Sequence, residues 1–80
     1  MDYRKMADSI AYGEEYNFLY KGKEFWISQN SEGNYLTEVG GKTQSFKNSQ
    51  ELLANARING KTIEDIWEDI QEQFYEITNR

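Results

Sequence analysis

The sequence predicts an α+β fold: a three- to four-stranded antiparallel meander sheet packed by a long C-terminal helix, with a short N-terminal helix and a short helix before the last one. Three observations predict it. Apolar residues follow a helical period at the N-terminus and then a period of two from Tyr16 to Ile27. Turn-forming residues separate the next short alternating segments, and the C-terminal segment returns to a helical period with a wide apolar stripe.

Between Asp2 and Tyr12, Tyr3, Met6, Ala7 and Ile10 stand at i, i+3, i+4, i+7, one face of a helix, and Gly13 stands where a helix stops. From Glu14 the pattern alternates. Tyr16, Phe18 and Tyr20 precede Lys21-Gly22, and Phe25 and Ile27 follow it. A two-residue loop there sets Tyr20 opposite Lys23, Phe18 opposite Phe25 and Tyr16 opposite Ile27, so the aromatic residues collect on one face. Lys-Gly is a weaker signal than Asn-Gly for a type I′ turn, which needs positive φ at both positions. Asn30 to Gly33 has turn composition. A third strand follows over Asn34 to Val39, and Gly40-Gly41 ends it. Thr43 to Phe46 reads either as a fourth edge strand or as a loop.

Asn48 followed by Glu51, ahead of Leu52, Leu53 and Ala56, is a helix start whose exposed N–H groups find acceptors. That helix should run about two turns. Arg57 to Lys61 supplies a glycine stop and a tight connection, and Thr62 with Asp65 forms the capping box of the last helix. At about 100° per residue, Ile63, Ile66, Trp67, Ile70, Phe74 and Ile77 fall on one stripe, which predicts the main core element.

A chain of 80 residues holds a single domain, here 1–80. With 14 acidic and 9 basic residues and a net charge of -5, it is not expected to bind nucleic acid directly. The absence of Cys and His excludes thiolate nucleophiles, disulfides, Cys/His metal sites and histidine-based triads. No cofactor and no metal site are expected. Carboxylate pairs could in principle serve glycoside hydrolysis, but a chain this short has little apolar surface left to build the cleft that raises one pKa. No enzyme is expected. Gly41-Lys42-Thr43 and Gly60-Lys61-Thr62 lack the phosphate-loop spacing and read as turns. The apolar run Phe25-Trp26-Ile27 is only three residues long, whereas a spanning helix needs about twenty, so a cytoplasmic, non-membrane protein is expected.

Two surfaces are candidate sites. On the polar face of the last helix stand Glu64, Asp65, Glu68, Asp69, Glu72 and Glu76, with Tyr75 among them and no base until Arg80. Glu64, Glu68, Glu72 and Glu76 repeat at i, i+4, about 6 Å per step along a helix. Like charges so placed cost about 0.2–0.5 kcal/mol per pair. The row is either a solvated face or a docking stripe for a basic cleft. The second surface is the outer face of the sheet, where Leu19 and Trp26 point away from the aromatic side and Leu36 joins them if the second turn so places it. The N-terminal helix is expected to cover these residues. If it does not, Trp26 becomes an exposed anchor of the kind that dominates interface energies.

The run Tyr20-Lys21-Gly22-Lys23-Glu24-Phe25, then Tyr35-Leu36-Thr37, Ser45-Phe46, Glu51-Leu52-Leu53, Ala56 through Thr62 and Ile66-Trp67-Glu68-Asp69-Ile70 resembles small uncharacterised proteins of Gram-positive bacteria and their phages. Its matching positions are strand, turn, cap and core positions, so the resemblance implies a shared fold and no activity. In size, charge and acidic helix the chain is also similar to anti-CRISPR inhibitor proteins, some of which imitate DNA. That similarity implies a phage or mobile-element inhibitor, a non-catalytic protein whose acidic helix docks into a basic nucleic-acid-binding cleft of a host protein. The alternative is an interaction or self-association module, monomer or homodimer, that uses the Trp26 face.

Overall fold

The structure is a computed structural model and describes residues 1–74. Helix α1 spans Tyr3–Ala11, and the Asp2 carboxylate accepts the Lys5 N–H at 2.8 Å to cap it. Met6 and Ile10 are its buried residues, and Gly13 with φ 109 turns the chain out of it. Strands β1 (Tyr16–Tyr20), β2 (Lys23–Asn30), β3 (Gly33–Glu38) and β4 (Thr43–Phe46) form one antiparallel sheet in chain order. The segment left open between strand and loop is thus a strand.

The first hairpin has the expected register, with Tyr20 opposite Lys23, Phe18 opposite Phe25 and Tyr16 opposite Ile27. Lys21 and Gly22 both take positive φ, 50° and 80°, the type I′ geometry that matches the twist of the flanking strands. In the second hairpin only Ser31 and Glu32 separate Asn30 from Gly33, which sets Ile27 opposite Leu36. Leu36 therefore shares the inner face with Ile27 and is 1% exposed. It does not belong to the outer surface with Leu19 and Trp26.

Helix α2 spans Ser49–Asn55, and Asn48 caps it by accepting the Glu51 N–H at 2.8 Å. The chain then reverses between Ile58 and Lys61 through Asn59-Gly60, where φ is 53° and 79°. The last element departs from expectation. Thr62 and Asp65 do make the capping box, with Thr62 N–H on Asp65 Oδ2 at 2.9 Å and Asp65 N–H on Thr62 Oγ1 at 3.0 Å. Among the described residues no long helix follows. Ile66, Trp67 and Asp69 donate three residues back to Ile63, Glu64 and Ile66, α3 covers only Trp67–Ile70, and a 3-10 turn over Gln71–Gln73 leads to an extended Phe74.

The local sequence accounts for the break. Ile63, Ile66 and Ile70 are β-branched and lose side-chain freedom in a helix, and Glu68 and Glu72 repel at i, i+4. Tertiary packing decides the path instead. Ile63, Ile66, Trp67, Ile70 and Phe74 are all buried, so the apolar stripe is real although the continuous helix is not. Ile77 lies outside the described residues.

The core is one cluster between the helical layer and the inner sheet face. Phe74 is its aromatic centre, with ring centroids 4.8 Å from Trp67, 4.9 Å from Tyr16 and 5.6 Å from Phe18. Tyr3 meets Trp67 edge-on at 5.7 Å, so α1 joins this same layer. Its apolar face, Met6 and Ile10, is spent in the core. Contrary to expectation, α1 does not lie across Leu19 and Trp26.

Candidate functional site

Among the described residues the helices pack on the inner side, and none covers the outer face of the sheet. Its central row runs Asn17, Trp26, Thr37, Thr43 across the four strands, and a second row runs Ser28, Tyr35, Ser45. Leu19 stands opposite Glu24, whose carbonyl accepts the Val39 N–H at 2.9 Å and brings Val39 alongside. Leu19, Trp26 and Val39 are 59%, 41% and 52% exposed. Among the described residues of the paired strands, Glu24 is the one charged group on this face, and it accepts Asn17 Nδ2 at 3.0 Å. The Thr37 and Thr43 hydroxyls are 3.1 Å apart, and Tyr35 donates to Asn30 Oδ1 at 2.9 Å. The result is a surface of hydroxyl, aromatic and aliphatic groups in a chain that is 29% charged overall.

The acidic residues are exposed but do not form the expected row. Glu64 and Asp65 sit in the turns before α3, Glu68 and Asp69 in α3, and Glu72 in the 3-10 turn. Without a continuous helix the 6 Å repeat of that reading is not kept. Tyr75 and Glu76 lie outside the described residues. Asp65 is committed to its cap, and the Thr62 N–H and hydroxyl hold its carboxyl below the ordinary aspartate value. Burial, with the Glu64 charge beside it, raises the Tyr3 hydroxyl. Among the described residues no group of three or more acidic side chains could hold a metal ion. No described helix is long and apolar enough to cross a membrane.

Two contacts have no signature in the sequence. Gln73 and Gln44 each use the side-chain amide as a peptide group, donating to a backbone carbonyl and accepting from the N–H of the same residue. Gln73 does so on Leu19, at 2.8 and 2.7 Å, and Gln44 on Arg57, at 2.8 and 2.9 Å. Partners 54 and 13 residues apart leave no local pattern to read. The sequence also hid a recess of about 530 Å³ floored by Phe25 and Ile58 and rimmed by Glu38, Lys42, Gln44, Arg57 and Asn59. The rim carboxylate, Glu38, pairs with Lys23 at 3.7 Å.

Fold and surface together define a small two-layer α+β arrangement with one sheet face uncovered among the described residues. Comparison of the chain with protein-family models, with curated proteins and with solved structures finds no match. Fold and surface chemistry therefore carry the functional argument.

Proposed function

We propose that the chain is a non-catalytic protein-binding domain whose contact surface is the open sheet face centred on Trp26. The observation that carries the reading is the near absence of charge there, in an otherwise strongly charged chain. Depletion of charge with enrichment of aromatic residues is the composition of an interface core, and Trp is prominent among the residues that dominate binding energy. Trp26 sits on an inner strand, flanked by Asn17 and Thr37, so a partner can surround it and exclude water. The partner that fits is a protein surface itself poor in charge, presenting apolar and hydroxyl groups.

A second reading keeps the acidic surface. Glu64, Glu68, Asp69 and Glu72 are exposed, and no basic residue stands between Lys61 and Arg80. That supports docking to a basic nucleic-acid-binding cleft of a host protein, the mode of an anti-CRISPR-like inhibitor, without the regular spacing of a DNA mimic.

Capture from host lysate at low and high salt separates the two. The sheet-face reading expects a partner held at high salt, held by the Glu68→Lys, Glu72→Lys double variant and lost with Trp26→Ser. A partner released by salt and by the charge reversal, yet held by Trp26→Ser, would move function to the acidic surface.

A further inference from the structure

We infer that the outer edge of β1, which pairs with no further strand among the described residues, is a strand-addition site for an extended, basic segment of a protein partner, closed in the free protein by the Gln73 side chain. This goes beyond the sheet-face reading and stands without it. In an antiparallel pair, hydrogen-bonded and non-bonded residue pairs alternate, and the pair that closes a two-residue hairpin, Tyr20 with Lys23, is bonded. Asn17 and Leu19 therefore turn their backbone N–H and C=O groups to the free edge. Gln73 fills the Leu19 position with a donor and an acceptor, at 2.8 and 2.7 Å, the same groups a neighbouring strand would bring. Beside it lies a recess of about 300 Å³ lined by Asn17, Phe18, Leu19, Glu24 and Gln73.

The closure is cheap to reverse. Phe74, next in the chain, is 2% exposed and fixed in the core, so the Gln73 amide can leave Leu19 by side-chain rotation without moving a core residue. An incoming strand replaces both lost hydrogen bonds at Leu19 and adds those of Asn17, the usual source of affinity when a strand joins a sheet edge. Charge selects the occupant. Glu24 lines the recess and Glu72 precedes Gln73, while Lys21 lies over the Tyr20 ring and Lys23 pairs with Glu38. A second copy would bring another net charge of -5 against the first.

The test is titration of the full chain with a blocked peptide of alternating Lys and Val, followed by amide NMR and hydrogen exchange. A Lys and Gly peptide of equal charge serves as the control, because it binds acidic surface without forming a strand. Expected are shifts and slowed exchange at the Asn17 and Leu19 amides with the Lys-Val peptide only. Gln73→Ala should bind it about tenfold more tightly while sedimenting as the wild type does. The wild-type titration decides even if that variant does not fold. Shifts confined to other sites, equal binding of the Lys-Gly peptide, unchanged affinity of Gln73→Ala, or a Gln73→Ala dimer would each overturn the proposal.

Discussion

Gln44 and Arg57 hold each other as two strands would: Gln44 Nε2 donates to the Arg57 carbonyl at 2.8 Å and Gln44 Oε1 accepts the Arg57 N–H at 2.9 Å. The contact ties β4 to the segment that leaves α2. Arg57 in turn donates its guanidinium to the Ala54 and Ala56 carbonyls, at 3.0 Å each, near the C-terminus of that helix. Each hydrogen bond is worth about 0.5–1.5 kcal/mol net. Gln44→Ala should cost about 1–2 kcal/mol, read as a lower urea midpoint with unchanged slope. Gln44→Glu keeps the acceptor but aims a carboxylate at the Arg57 carbonyl, and should recover little of that loss.

Gly33 is a position where only hydrogen fits. A Cβ there would collide with the Phe46 carbonyl oxygen at the end of β4, and φ at Gly33 is not positive, so the constraint is steric. Gly33→Ala must spread β3 from β4, with an expected cost of about 1–3 kcal/mol. Gly60 has φ +79 and nothing within 4 Å of its Cβ position. Gly60→Ala therefore pays only in backbone conformation, about 1 kcal/mol. Thermal unfolding of both variants checks the order.

The two sheet faces give opposite mutational responses. Leu36→Ala empties a position that is 1% exposed and should cost about 2–5 kcal/mol. Leu19→Ala, at 59% exposed, should stay within about 0.5 kcal/mol. Equal costs in denaturant titration would mean that the register of the second hairpin is other than Ile27 with Leu36.

The same pair of residues shows which parts of the fold were legible. The first hairpin could be read because Tyr16, Phe18, Tyr20, Phe25 and Ile27 agree on one face whatever the turn residues are. The second could not, since Ser31-Glu32 carries no positive-φ preference and a one-residue slip exchanges Leu36 for Tyr35 and Thr37. The caps at Asn48 and Thr62 were legible because they are local. Helix length after Thr62 was not, because burial and helical continuity share one apolar pattern until the hydrogen bonds are known. The open sheet face followed from Leu19 and Trp26, but its exposure depended on where α1 docks, which Tyr3, Met6 and Ile10 do not specify alone.

Charge reversal on the acidic surface should leave the fold intact. Glu68 and Glu72 are exposed, and neither α3 nor the 3-10 turn has a base in its last turn. Glu68→Lys with Glu72→Lys changes no buried contact, so the urea midpoint should move by no more than about 0.5 kcal/mol equivalent. Circular dichroism should be unchanged, which makes this double variant a clean probe of binding.

The Thr62–Asp65 capping box gives the domain a local acid dependence whose sign follows from its geometry. The Thr62 N–H and hydroxyl favour the ionised Asp65, so its carboxyl titrates below the ordinary value of 3.8 in the folded chain. A depressed folded value contributes stability that is fully present above the unfolded value and is lost as pH falls through the folded one. Between these limits the unfolded chain binds the proton first, and stability declines on acidification. Asp65→Asn should flatten that part of the stability profile below about pH 4, leaving the neutral side nearly level. NMR titration of the Asp65 carboxyl carbon checks the direction independently, because a midpoint at or above 3.8 would mean that the box does not hold in solution.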